Sequence, residues 1–413
     1  MVNQVKLWQS GEAKTITFIV TKDCQLACKY CYLVGKNSRE KMTWEVAKQA
    51  IDYILCHEDD MKEKSVIWDF IGGEPFLEID LIDKICDYIK IEMFKRNHHW
   101  YNSYRFSFST NGINYHTEKV QNFINKNRNH ISIGVTIDGT QKKHDLNRIW
   151  KTTNKENNIL KTEEERGSYK DVVKNIPLWI QQFPNEGTKV TISSADIPYI
   201  CESVLHLYSL NIHEVNINCV FEDVWHEGDH VLFEEQLIQL ADAIIDGGYY
   251  NDYACSFFSE NIGKPLNREL ENQNWCGAGR MLAIDAAGNF YPCTRFAQYS
   301  LREKKAWIIG NVNEGINNNK LRPFLTLDRC TQSRPECIDC EVASGCAWCQ
   351  GENYDAADTP TINQRAIAIC KMHKARVRAN NYYWNKLYRK LELEGIAKEE
   401  AKNYVKESNT KNC

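Results

Sequence analysis

The run Thr15-Ile-Thr-Phe-Ile-Val-Thr-Lys-Asp-Cys-Gln-Leu-Ala-Cys-Lys-Tyr-Cys-Tyr32 decides the fold. Its first six residues are β-branched or apolar and predict a buried strand. That strand feeds straight into Cys24, Cys28 and Cys31, spaced C-x3-C-x2-C, with Tyr30 directly before the third cysteine. Three close thiolates can hold three irons of a four-iron, four-sulfide cluster. The fourth iron then lacks a protein ligand, so it can bind a substrate or cofactor and pass it an electron. A structural zinc wants four closed ligands, and a triplet with no near fourth partner fits zinc poorly.

Working outward, strand-like and helix-like stretches alternate. Lys41–Cys56 has helical periodicity, with Trp44, Ala47, Ile51 and Ile54 on one face. The strand Ser65–Ile71 and the helix Ile79–Phe94 follow. Then come the strand Tyr104–Ser109, a helix near Thr117–Ile124, and the strand Ile131–Ile137. The helix Tyr169–Phe183, the strand Lys189–Ser193, a helix near Ile200–Leu210 and the strand Val215–Val220 complete the series. Six strands in this alternation predict an α/β fold of parallel strands with helices outside. Six units are fewer than the eight of a closed barrel, so the expected architecture is an open, partial (β/α)6 TIM barrel. The loops after the strands carry the polar motifs: the cysteine triplet, Gly72-Gly-Glu-Pro75, Ser109-Thr-Asn-Gly112 and Asp138-Gly139. In parallel α/β folds the site lies beyond the C-terminal strand ends, so these four motifs predict one site. Asn147–Arg166 is charged and Asn-rich and reads as a mobile loop on the site side or as a solvated insertion. The chain divides into an N-terminal segment (1–14), the barrel (15–230), a helical bridge (231–274), a cysteine-rich region (275–375) and a helical tail (376–413), with helices over Lys374–Leu393 and Ala397–Ser408.

The chain has 413 residues and a formal net charge of −4, enough for about two or three domains. A near-neutral charge implies neither nucleic acid nor an anionic membrane as partner. The N-terminus shows no apolar signal-peptide region, and no window approaches the roughly 18 apolar residues of a membrane span. A cytoplasmic protein is expected. Eight of the 17 cysteines lie between Cys276 and Cys370, which points to metal or cluster ligation in a reducing compartment rather than to a disulfide scaffold. Cys56, Cys86, Cys201 and Cys219 sit in apolar periodic segments and read as core packing.

The triplet with Tyr30, the Gly-Gly-Glu-Pro turn and the Thr-Asn-Gly strand end together resemble the radical S-adenosylmethionine (SAM) superfamily, over most of Thr15–Val220. The resemblance implies that Cys24, Cys28 and Cys31 bind a four-iron cluster whose open iron is chelated by the amino and carboxylate groups of SAM. Electron transfer to the sulfonium then yields a 5′-deoxyadenosyl radical. It further implies SAM contacts from Tyr30, Gly72, Gly73, Glu74, Ser109, Asn111, Thr136 and Arg148. Gly72 and Gly73 offer backbone without side-chain clash. Glu74 can pair with the ammonium, and Arg148 can hold the carboxylate bidentately. Each motif alone is more often a plain turn or a solvated charge; their order at successive strand ends supports the joint reading.

Cys276, Cys293, the quartet Cys337-x2-Cys340-x5-Cys346-x2-Cys349 and Cys370 form a second constellation. It resembles the SPASM extension of radical SAM peptide-modifying enzymes, which carries two auxiliary four-iron clusters, although Ala347 and Trp348 make the last gap one residue short of the family pattern. A zinc ribbon is the alternative for paired C-x2-C motifs. By the resemblance, the first auxiliary cluster takes Cys276, Cys293 and Cys349, and the second takes Cys337, Cys340, Cys346 and Cys370. Three [4Fe-4S] clusters and SAM are therefore the implied cofactors. A fourth ligand to the first auxiliary cluster is not evident; Cys255 or Cys330 could supply it, or its iron is open to an external thiolate. Sulfatase-maturing relatives carry a catalytic Asp after the Tyr-Pro-Cys turn, whereas Tyr291-Pro-Cys293 is followed here by Thr294.

These features imply a radical SAM enzyme that matures a ribosomally made, Cys-containing precursor peptide by thioether formation. Carbon–carbon or carbon–oxygen cross-linking and formylglycine-type maturation are the enzymatic alternatives, and a zinc-binding scaffold the non-enzymatic one. The expected partners are the peptide, an external electron donor (flavodoxin or ferredoxin) and a separate leader-binding protein. The first strand near Thr15 leaves no room before it for a leader-recognition domain, so either that protein supplies one or leader binding uses other surface, such as the Asn147–Arg166 loop or the tail.

Overall fold

The computed structural model describes residues 13–36, 38–57, 61–151, 166–265, 276–357 and 365–393. Most of the Asn147–Arg166 loop and the whole of the expected Ala397–Ser408 helix lie outside the described residues. The six expected strands are present as β1 (Lys14–Thr21), β2 (Val66–Gly72), β3 (Tyr104–Thr110), β4 (Ile131–Val135), β5 (Thr188–Ile192) and β6 (Glu214–Cys219). The helices between them are α1 (Trp44–Cys56), α2 (Ile79–Lys95), α3 (Glu118–Asn127), α4 (Gln141–Asn147), α5 (Tyr169–Val173), α6 (Ile176–Gln182) and α7 (Ile200–Ser209), with α8 (Asp229–Asp246) after β6. The expected helix over Tyr169–Phe183 is split into α5 and α6. Pro177 stands in the first turn of α6, where a missing N–H is tolerated, and its ring prevents a single helix from running through.

β1 to β4 pair in parallel in chain order, as do β5, β6 and β7 (Ala254–Cys255). β1 is buried almost throughout, as expected of a strand covered on both faces. On its outer face Phe18 stacks on Trp68 and Phe70, and Phe70 on Phe108, under α1 and α2. The alternate positions Thr17, Asp69, Ser107 and Ser109 turn inward and line a polar lumen. α1 begins where the Thr43 hydroxyl accepts from the Val46 N–H at 3.3 Å and packs Ala47, Ala50, Ile51, Ile54 and Leu55 inward. Cys86 is buried as expected, whereas Cys56 is exposed at the end of α1, where Arg96 donates to its sulfur.

The sheet divides between β4 and β5, which meet through one backbone bridge, Thr136 to Lys189. Side chains close the gap. The Thr188 hydroxyl donates to the Val135 carbonyl (2.7 Å) and accepts from the Ile137 N–H (3.2 Å), and the Trp179 indole donates to the Ile133 carbonyl (2.7 Å).

The cysteine-rich region extends the same sheet. β8 (Leu282–Ile284) pairs in parallel with the free edge of β1, and β9 (Asn289–Tyr291), β10 (Gly310–Asn311) and β11 (Gly315–Ile316) follow antiparallel. Gly288, at φ +80°, turns the β8–β9 hairpin. Asp285 fixes that turn by accepting from Ala287, Asn289 and Tyr291. This turn returns Cys293 alongside Cys276. A terminal helix, Cys370–Leu393, lies along α8, burying Ala375, Ala379, Tyr383, Leu387 and Leu391 and pairing Lys386 with Asp242 and Asp246.

Candidate functional site

Every residue expected to bind the first cluster or SAM lines one cavity of about 390 Å³. Cys24, Cys28, Cys31 and Tyr30 come from the loop after β1, and Gly72, Gly73 and Glu74 from the turn after β2. Ser109 and Asn111 come from the end of β3, Thr136 from the end of β4, and Arg148 from the end of α4. The volume is in the range of small-molecule sites.

Local bonds fix these groups. The Tyr30 hydroxyl donates to Asp138 at 2.5 Å and accepts from Arg148 at 3.0 Å. Asp138 in turn donates its N–H to His144 Nδ1 at 3.2 Å, and His144 Nε2 meets the Ser168 hydroxyl at 2.9 Å. Because that hydroxyl donates to the Arg148 carbonyl (2.7 Å), His144 is the neutral tautomer with its proton on Nε2. Burial first, and then Arg148, hold the His144 pKa down to about 3. Burial pushes Asp138 up, but Lys143, Arg148 and the hydrogen bond from Tyr30 outweigh it and keep the carboxyl below its ordinary value. Gly139, at φ +128°, lets this loop pass the Ser203 side chain, where a Cβ would sit 2.1 Å from Ser203 Cβ.

Two expected roles take a different physical form. A Cβ on Gly72 or Gly73 would stand 2.1 Å from the carbonyl oxygens of Thr21 and Asp23 respectively. The glycines are therefore required first by backbone packing of the turn against the end of β1, where Gly73 and Glu74 donate to Thr21 and Asp23, each at 2.9 Å. Glu74 is buried and already accepts from Phe76 N–H (3.1 Å), the Thr110 hydroxyl (2.7 Å) and Asn111 N–H (2.7 Å). Of a carboxylate's roughly four acceptor directions, about one remains for a ligand. Burial raises its pKa, offset in part by those bonds.

The cavity suits an anion-bearing cofactor beside a cluster. Arg148 is 6 % exposed and its Nε is buried with no hydrogen-bond partner, so a donor is left for an acceptor such as a carboxylate. Burial, aided by Glu74, pushes the Cys24 thiol up to about 12; metal ligation would deprotonate it. Asn111 Nδ2 donates to Gln25 at 3.0 Å and lies 3.8 Å from Cys24 Sγ. Sequence reasoning missed Thr17, Asp69, Ser107 and Lys189, which form the cavity's inner wall. Lys189 donates to Ser109 at 2.5 Å, and Thr17 donates to Asp69 at 3.2 Å. The alternation of polar residues within otherwise apolar strands was the signal that could have found them. Met281 and Thr294, from the cysteine-rich region, complete the wall.

Cys337, Cys340, Cys346 and Cys370 line a second cavity, of about 100 Å³. Cys276, Cys293 and Cys349 form a third group. Cys276 and Cys349 each raise the pKa of Cys293, and Gln350 N–H donates to Cys276 Sγ at 3.4 Å. Cys255 lies elsewhere, among Tyr208, Tyr253, Tyr383 and Arg376 in another cavity. No three His, Cys, Asp or Glu among the described residues converge as ligands of a single metal ion; the thiolates of a cluster bind separate irons and need not converge.

Residues 10–160 match the family described as a 4Fe-4S single cluster domain. The chain is 26 % identical over 311 residues to Uncharacterized protein MJ0907 of Methanocaldococcus jannaschii, covering 75 % of this chain and 91 % of that one. It superposes on native anSMEcpe with bound AdoMet at a TM-score of 0.62 and 15 % identity, covering 90 % of this chain and 98 % of that one. It superposes on Streptococcus suis SuiB bound to precursor peptide SuiA at 0.55 and 14 %, covering 87 % and 76 %. The 4Fe-4S cluster-domain match spans the cysteine triplet, and the solved structures share the fold of this chain. Its particular architecture, barrel and extension together, is the one shared with anSMEcpe and SuiB.

Proposed function

We propose that this protein matures a Cys-containing precursor peptide by joining a cysteine sulfur to a carbon of an acceptor residue. The observation that carries the reading is the continuity of the main cavity, which runs from the Cys24–Cys28–Cys31 loop to Met281 and Thr294 of the segment bearing Cys276 and Cys293. A peptide is the proposed substrate because the neighbours of this fold are named with peptides bound: anSMEcpe with the Kp18Cys peptide and SuiB with SuiA.

When bound, SAM and a four-iron cluster supply a carbon-centred radical that removes a hydrogen atom from the substrate. The chain's own residues do the positioning. Cys24, Cys28 and Cys31 hold the cluster. Arg148 Nε takes the SAM carboxylate, and the remaining acceptor direction of Glu74 takes its ammonium. Gly72 and Gly73 offer backbone groups, while Ser109, Asn111 and Thr136 contact the rest of the cofactor and Tyr30 holds Arg148 in place. Cys276, Cys293 and Cys349 would hold one auxiliary cluster, and Cys337, Cys340, Cys346 and Cys370 a second. The balance is one carbon–sulfur bond gained for a carbon-bound hydrogen, which would leave on the 5′-deoxyadenosyl group of SAM, and a thiol proton, which would leave to solvent; the surplus electron would return through an auxiliary cluster, so SAM is the net two-electron oxidant. A flavodoxin or ferredoxin supplies electrons. Thr294, unable to act as a carboxylate base, favours this over formylglycine formation.

The test is mass spectrometry of a precursor peptide co-expressed with the protein. A peptide lighter by two hydrogen atoms, with one thiol no longer alkylable, is expected. Loss of two hydrogens with every thiol still alkylable would replace the thioether by a carbon–carbon or carbon–oxygen link.

A further inference from the structure

We infer that Arg295 is a built-in counter-charge that raises the reduction potential of the cluster held by Cys276, Cys293 and Cys349. The inference rests on the ligand assignment proposed above. Arg295 follows Cys293 by two residues, and its stem packs against Gly351, two residues after Cys349. A Cβ on Gly351 would sit 2.3 Å from Arg295 Cβ, so a larger residue there would drive the arginine off the cysteine trio. The guanidinium is held on three sides. Its Nη2 donates to Glu222 at 2.8 Å and to Glu352 at 2.9 Å, and it lies 4.9 Å from the ring centre of Tyr32, the residue after Cys31. Its Nε is buried without a hydrogen-bond partner, a cost that a merely structural ion pair would not need to carry. The chain places this charge beside the trio, two residues after Cys293 and with its stem against Gly351.

The sign follows from electrostatics. Reduction adds an electron to a group already made negative by its thiolates. A fixed positive charge stabilises the reduced form more than the oxidised one and raises the potential; a fixed negative charge lowers it. Glu222 and Glu352 therefore have two opposed effects: they pin the guanidinium beside the trio and cancel part of its charge. Arg302, which donates to Glu352 at 3.0 Å, returns some of what is cancelled. The surroundings of this trio are thus set by two arginines against three acidic groups, Glu222, Glu352 and Asp355.

The test uses the full-length protein, purified without oxygen and loaded with iron and sulfide. Iron is counted, and each cluster is titrated potentiometrically by electron paramagnetic resonance. Arg295→Met should lower the potential of one auxiliary signal by at least a tenfold change in its oxidised-to-reduced ratio, about 59 mV for a one-electron couple. Arg295→Lys should move it less. Glu222→Gln, which keeps the arginine and every cysteine, should move the same signal upward, and it carries the test if Arg295→Met fails to fold. Wild-type potentials in variants that retain full iron would overturn the counter-charge role. Absence of any such signal in the parent protein, with only triplet iron present, would instead overturn the ligand assignment and the inference with it.

Discussion

His144 shows how one side chain supports the site without touching it. Its neutral ring accepts from Asp138, which binds Tyr30, which holds Arg148. An unfolded histidine takes up a proton near pH 6.5, whereas the folded one stays neutral down to about 3. Between those values the unfolded chain binds more protons. The stability is therefore fully present above about pH 6.5 and is lost as pH falls, by up to about 1.4 kcal/mol per unit. His144→Gln should flatten that acid limb in urea titrations run from pH 7 to 4; an unchanged limb would reject the assignment. Gly73 makes the complementary point. Gly73→Ala would place a methyl 2.1 Å from the Asp23 carbonyl, and overpacking of this kind costs about 1–3 kcal/mol. The expected result is a lower denaturant midpoint together with weaker SAM binding. Glu74→Gln separates the two effects. It keeps the shape of the turn, loses the charge, and should weaken SAM binding about tenfold to a hundredfold, the worth of one charge-assisted bond at roughly 1.5–3 kcal/mol. Isothermal titration with unchanged affinity would remove Glu74 from the cofactor site.

At the scale of elements, the terminal helix couples stability to the proposed second auxiliary site. Cys370 is its first residue and Leu387, fully buried against the core, is near its other end. Leu387→Ala should cost about 2–5 kcal/mol and, by loosening the helix from α8, lower the temperature at which iron is released from the Cys337–Cys340–Cys346–Cys370 site. Iron release and helix melting tracked in one thermal ramp should shift together. Much of this level was legible in advance. The six barrel strands and most helices follow from β-branched runs and 3.6-residue periodicity, because apolar packing dictates both. The cavity residues followed from the motifs at strand ends. The β8–β9 hairpin's place on the edge of β1 did not, since three-residue strands carry too little pattern and pairing partners are set by tertiary contact. Asp69 and Lys189 were hidden for a related reason: a polar residue inside a strand reads as surface until the barrel shows that its face is a lumen.

For the whole molecule, three separate cysteine groups imply three separable losses. Replacing Cys24, Cys28 and Cys31 with Ala should leave a folded protein whose iron falls from about twelve to about eight per chain. Cleavage of SAM to 5′-deoxyadenosine should vanish, and persistence of that cleavage would exclude the triplet as the cofactor site. Among the described residues no helix is long and apolar enough to cross a membrane.

The division between β4 and β5 gives the barrel wall an unusual genetic property. Elsewhere the wall is stitched by main chain, so most substitutions alter its lining and leave its continuity intact. Here the joint is written in side chains: Thr188 serves Val135 and Ile137, and Trp179 serves Ile133. One codon can therefore loosen it, leaving the Trp179 bond and the Thr136–Lys189 bridge in place. Thr188→Val, nearly the same shape, would strip both bonds at once, making this seam the locus where selection or an engineer could widen the lumen for a bulkier guest without rebuilding a strand.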